Sequence, residues 1–133
     1  MGRTRTRTAA GIVLDAGALI ALDRGDPRMI ALLQRALAQG RMFRVPAGVV
    51  GQVWRDGRVQ ATLARFLRCE EVAIVPLDEQ LARSCGELCG AANSRDVIDA
   101  SVVIIARERR DPIVTSDPND LRRLDPAAQL IAV

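Results

Sequence analysis

Short runs rich in valine and isoleucine alternate along this chain with longer amphipathic stretches, and that alternation restricts the fold more than any other feature. Strand-length runs separated by helix-length segments are too far apart for tight hairpins. They pair in parallel, each crossover carrying a helix. "GIVLD" (11–15), "MFRVP" (42–46), "EVAIVPL" (71–77), "DPIVTSD" (111–117) and "AQLIAV" (128–133) are the expected strands. Helices are expected over "PRMIALLQRALAQG" (27–40), with Pro27 in the first turn and Gly40 stopping it, and from "AGVVGQVWR" (47–55). Further helices are expected over "VQATLARFLR" (59–68), "DEQLARSCGELCGAA" (78–92), "SRDVIDASVVIIARERR" (94–110) and "DPNDLRRL" (117–124). The expected fold class is α/β: a three-layer α/β/α sandwich with a mainly parallel, about five-stranded sheet.

One domain over 11–133, preceded by a basic arm over 1–10, accounts for the 133 residues. Charge supports that division. The net charge of +3 comes from 19 basic residues, all arginine, against 16 acidic ones. Removing Arg3, Arg5 and Arg7 leaves 16 against 16, so the excess belongs to the arm. An alternating Arg-Thr arm could contact phosphates or could be a disordered extension. No apolar run approaches the ~20 residues of a membrane span, and no hydrophobic segment follows the first arginines as in a secretory signal. The expected location is the cytoplasm, with no membrane partner.

The chemistry is carried by aspartates. Asp15 interrupts the apolar run "GIVLDAGALIAL" (11–22) at the end of the first expected strand. A lone carboxylate there needs a proton, a hydrogen bond or a cation. Asp117 ends the fourth strand, and Asp96 and Asp99 lie three apart at the start of the most apolar helix, on one face. In an open parallel sheet, ligands bind beyond the carboxyl ends of the strands. Three segments therefore bring acids to one edge. Individually, Asp15 can be an N-cap, Asp117 with Asp120 a capping arrangement before Pro118, and Asp96 a complement to the helix dipole. Asp99 is harder to place structurally, because "ASVVIIA" follows it and Arg107 is the first basic residue on its face. Carboxylates without basic partners suit a hard divalent cation, Mg²⁺ or Mn²⁺.

Several chemistries are excluded. With no histidine, a Ser-His-Asp triad is impossible, and three cysteines alone do not complete a zinc site. Cys85 and Cys89, four apart, are expected to be small core residues of a helix. A phosphoacceptor receiver domain needs a lysine on its last strand. A dehalogenase-like phosphatase needs a second acid two residues after the first, where this chain has Gly17. No G-x-G-x-x-G follows a strand. Trp54, Phe43 and Phe66 are expected in the core, so RNA contacts would fall to arginines such as Arg55, Arg58, Arg95 and Arg122.

"IVLDAGALIAL", "VPAGVVGQVWR", "RDVIDASVVIIA" and "IVTSDPNDLRRL", in this order and spacing, resemble the PIN-domain ribonucleases, and more narrowly the VapC toxins of bacterial type II toxin–antitoxin systems. The resemblance runs from Gly11 to the C-terminus. It implies a Mg²⁺- or Mn²⁺-dependent endoribonuclease with an RNA substrate, a VapB-like antitoxin as inhibitor, and commonly a homodimer. It assigns Asp15, Asp99 and Asp117 to the metal and to catalysis, with Asp96 an added acid and Thr115 or Ser116 supporting Asp117 by hydrogen bonding. The departure is Gln52, which stands where the family usually has glutamate. Glutamine keeps an oxygen donor but loses a full charge. The resemblance therefore leaves two alternatives: an active enzyme with weaker metal binding, in which Asp96 offsets the missing charge, or a catalytically weak scaffold that binds RNA or protein.

Overall fold

The computed structural model describes residues 11–133. The expected arm over 1–10 lies outside the described residues. Five short strands, β1 (Ile12–Leu14), β2 (Phe43–Pro46), β3 (Val72–Val75), β4 (Ile113–Thr115) and β5 (Leu130–Ala132), form one sheet in the order β3-β2-β1-β4-β5. Every pairing is parallel, so "mainly parallel" becomes wholly parallel. The central strands are buried on both faces: Val13, Leu14, Val45, Ile113 and Val114 are each fully excluded from solvent. Continuous Val/Ile/Leu runs, rather than alternating ones, are what a two-sided burial requires.

Among the described residues, seven helices cover this sheet. One group comprises α1 (Ala16–Asp23), α2 (Pro27–Ala38), α3 (Ala47–Val53) and α4 (Ala61–Leu67). The other comprises α5 (Glu79–Ala92), α6 (Val97–Arg109) and α7 (Pro118–Leu124). The expected helices are present, trimmed by up to three residues at one or both ends. Helix α2 stops at Ala38, and Gly40 takes φ +73° just beyond it, a backbone conformation that costs glycine little. Helix α5 ends on Asn93 at φ 55°. Cys85 and Cys89 of α5 are buried against Ala100 of α6, as small core residues.

Two expectations need correction. The first helix, α1, was not anticipated; Asp15 caps it and its residues are apolar almost throughout, so no amphipathic pattern marks it. Trp54 is not in the core. It lies at the C-terminal end of α3 with 36% of its surface exposed, whereas Phe43 and Phe66 are buried and meet edge-to-face with ring centroids 5.5 Å apart.

Candidate active site

Asp15 follows β1 directly and is itself buried, at 7% exposure. One of its oxygens accepts a hydrogen bond from the Ala18 amide at 2.9 Å, which starts α1. The capping role is therefore real, but it leaves the carboxylate on the wall of a cleft of about 390 Å³ beyond the carboxyl ends of the strands. Gln52, Asp96, Asp99, Ser116, Asp117 and Asp120 line the same cleft. Every site residue expected from the sequence comes to this place except Thr115, which is buried directly beneath it.

The parts are brought together by close backbone approaches. Gly17, in the first turn of α1, is packed so tightly on Ser116 that a Cβ would overlap its Oγ and stand 3.1 Å from its backbone nitrogen. Gly48, in the first turn of α3, lies under the side-chain tip of Ile98 of α6, whose Cδ1 a Cβ would overlap. These contacts set the helix bearing Gln52 against the helix bearing Asp99, and Asp15 against the turn bearing Asp117. Gly17→Ala is therefore expected to destabilise the fold by about 1–3 kcal/mol, because backbone as well as side chain must shift. Urea unfolding checks this; an unchanged midpoint would mean that the contact is not tight in solution.

Asp96 is placed differently from the expected shared helix face. It is the N-cap of α6, and its carboxylate accepts from the Asp99 amide at 2.9 Å. The cap still sets the two carboxylates side by side at the helix start. Thr115 serves Asp15 as well as Asp117: it hydrogen-bonds the Asp15 carboxylate, while its Oγ1 accepts from the Asp117 amide at 2.9 Å. It thus holds the Asp117 backbone rather than its carboxylate. The Asp117 side chain makes no capping bond to α7; it shares a hydrogen bond with Asp120 instead.

The electrostatics follow from this crowding. Burial, and then the charges of Asp96, Asp15 and Asp120, push the Asp99 carboxyl up to about 7. Burial raises Asp15 as well, with the Asp117 charge adding to it, against the lowering effect of hydrogen bonds from Thr115, Ala18 and Gly17. Asp120 is raised by its hydrogen bond to Asp117 and by that group's charge. Among the described residues, none of these five acids forms an ion pair. At the opposite edge of the sheet the pattern is reversed. There Asp111 meets Arg44 at 3.7 Å and Asp125 meets Arg107 at 3.4 Å.

The donor set is all oxygen, which suits Mg²⁺ or Mn²⁺ and not zinc. Among the described residues, no three acidic, cysteine or histidine side chains form a ready-made ion cage. A cation held here would take the rest of its coordination shell from water or substrate, as Mg²⁺ commonly does.

The architecture is an all-parallel α/β sheet with acids gathered at its carboxyl edge. Solved structures that share this fold include chains of toxin–antitoxin complexes. VapBC2 from Rickettsia felis, bound to a promoter DNA fragment, superposes with a TM-score of 0.68 at 16% identity, over 92% of this chain and 98% of that one. A toxin–antitoxin complex from Klebsiella pneumoniae gives 0.68 at 15% identity, over 91% and 96%. FitAcB from Neisseria gonorrhoeae gives 0.63 at 17% identity, over 90% and 96%. No protein-family model and no curated protein sequence matches the chain. Among the described residues, no helix is long and apolar enough to cross a membrane.

Proposed function

We propose that this chain is the toxin of a type II toxin–antitoxin pair, an endoribonuclease that hydrolyses RNA phosphodiester bonds with Mg²⁺ or Mn²⁺. The observation that carries this reading is the convergence of Asp15, Asp96, Asp99, Asp117 and Asp120 on one open cleft without an ion-paired arginine. Five neighbouring carboxylates repel one another, and a divalent cation is the partner that relieves the repulsion. The shared fold with toxin–antitoxin complexes supports an antitoxin as the protein partner.

Asp15, Asp99 and Asp117 would hold the cation, with Asp96 beside them. When bound, such an ion activates water and neutralises charge on the attacking and leaving oxygens of a phosphodiester. The chain's own residues do the positioning. Thr115 and the Ala18 amide fix the Asp15 carboxylate in one orientation. The Asp96 cap fixes the start of α6, and with it Asp99. Asp120, its carboxyl raised by the neighbouring Asp117, can hold a proton at the cleft mouth. Gln52, exposed on the cleft wall, offers a neutral oxygen to water or metal.

Metal binding is tested by melting. Millimolar Mg²⁺ or Mn²⁺ is expected to raise the melting temperature by about 3–10 °C, by linkage alone. No shift would count directly against the metal site. Gln52 favours one second reading, a PIN-type scaffold too weakly charged to cut. Gln52→Glu separates the two. In an active enzyme it is expected to lower the Mn²⁺ concentration for half-maximal cleavage by roughly 3- to 10-fold, the size of one added charge in a solvated cleft. A silent wild type with a cutting Gln52→Glu variant would instead support the scaffold.

A further inference from the structure

We propose that Arg55 is the residue that binds an RNA backbone phosphate at the mouth of the acidic cleft; this rests on the ribonuclease reading above. Among the described residues, Arg55 is the one arginine on the wall shared by Asp15, Asp99 and Asp117. It is exposed, and among the described residues it forms no ion pair with the carboxylates that line the same cleft. A cation that shares a wall with these acids and pairs with none of them is free to meet an anion brought from outside.

Its placement is built rather than incidental. The loop from Trp54 to Gln60 joins α3 to α4 and is pinned by Gln60, which is 7% exposed. The Gln60 Oε1 accepts from the amides of Arg55 at 2.8 Å and Asp56 at 3.0 Å. Its Nε2 donates to Asp23 Oδ2 at 3.2 Å and to the Val53 carbonyl at 3.0 Å. All four hydrogen-bonding positions of one buried amide are used to fix this loop against the ends of α1 and α3. Gly57 lets the loop fold under Trp54: a Cβ there would stand 2.8 Å from the indole Cζ2. The guanidinium is oriented by one nitrogen alone, Nη1, which donates to the carbonyls of Trp54 at 2.7 Å and Gly51 at 3.1 Å. Those neutral acceptors set its direction and leave its charge uncompensated. The planar fork of an arginine suits a phosphate, whose two non-bridging oxygens it can meet together.

Of the nearby arginines, Arg58 is held by both oxygens of Asp56, at 3.2 and 3.1 Å, whereas Arg122 donates to the neutral Asn119 at 3.3 Å, and Arg95 and Arg123 line an adjoining cavity with Asp96, Asp99 and Asp120 rather than the wall that carries Asp15 and Asp117. Arg58→Ala is thus a control with the same change of charge only three residues away.

The test is binding of a fluorescein-labelled single-stranded RNA of mixed sequence, followed by anisotropy across a salt series with Ca²⁺ in place of Mg²⁺, together with steady-state cleavage in Mg²⁺. Arg55→Ala is expected to weaken binding by roughly 10-fold and to reduce the log–log salt slope by about 0.7, the contribution of one phosphate contact on a single strand. KM should rise while kcat stays within about threefold, as for loss of uniform binding. Arg55→Lys should recover part of the affinity, Arg58→Ala should bind like wild type, and the Mn²⁺-induced melting shift should be the same in all of them. If Arg55→Ala keeps wild-type affinity and salt slope, or loses kcat with affinity intact, the phosphate role is wrong while the ribonuclease reading stands. If the wild-type protein itself binds no RNA, both fall.

Discussion

Asp15→Asn is expected to slow RNA cleavage by on the order of 10³-fold, about 4 kcal/mol of barrier, while the protein stays folded. The two effects separate because Asp15 does two things. As the cap of α1 it accepts a hydrogen bond from the Ala18 amide, and the asparagine carbonyl oxygen can accept the same bond. As a charge it stands buried over Thr115 and facing Asp117, where an ion would need it. Asparagine removes only the second role. Its melting temperature without metal is therefore expected within a few degrees of wild type, and its Mn²⁺ shift is expected to vanish. A variant that unfolds would show that the carboxylate is structural. One that cuts at the wild-type rate would remove Asp15 from the chemistry.

The second large effect is a pH dependence of stability that runs opposite to ordinary acid denaturation. Asp99 is raised from an ordinary 3.8 to about 7 by burial and then by the charges of Asp96, Asp15 and Asp120. Between those values the folded protein holds a proton that the unfolded chain has released. Stability from this group is therefore fully present below the unfolded value and is lost as pH rises through about 7. Asp99 is half-buried, so solvent screening reduces the nominal effect, and the loss between about pH 5 and pH 8 is on the order of 1–2 kcal/mol. Asp15 and Asp120 are raised as well and act in the same direction. Asp99→Asn removes the main contribution, so without metal the variant should be the more stable protein at about pH 8, with a smaller difference at about pH 5. Mg²⁺ should reverse that order at the higher pH by binding only where the carboxylates are ionised. Urea midpoints of the two proteins at both pH values, with and without Mg²⁺, measure this. Parallel pH profiles would contradict the crowded-acid description.

The sheet was legible because parallel strands are continuous apolar runs that need no partner to be recognised. The five strands and six of the helices stand where "GIVLD", "MFRVP" and their neighbours indicated. Helix α1 was hidden for the same physical reason that the strands were visible: "AGALIALD" is apolar almost throughout, so no period distinguishes it. Asp15 carried the missing signal, since an N-cap residue announces the helix that follows it. The gathering of Asp15, Asp96, Asp99 and Asp117 followed from the rule for parallel sheets, because strand ends and helix starts share an edge. The local arrangement within the cluster did not follow. That Asp96 caps α6, that Thr115 reaches the Asp15 carboxylate and that Asp120 pairs with Asp117 depend on side-chain directions that spacing does not fix. Trp54, expected in the core with the other aromatics, lies outside it at the turn that ends α3. Gln60 and Gly57 were not singled out at all, because a buried amide and a glycine under an indole gain meaning only once the loop has closed.

The most direct test of the central claim, that the acidic cleft holds a divalent cation which cuts RNA, is cleavage of a mixed RNA pool by the purified protein in Mg²⁺, Mn²⁺ or EDTA, beside Asp15→Asn. Fragments are expected with either metal, none with EDTA, and none from the variant. RNA left intact by wild type in both metals, or cut equally well in EDTA or by Asp15→Asn, would contradict it.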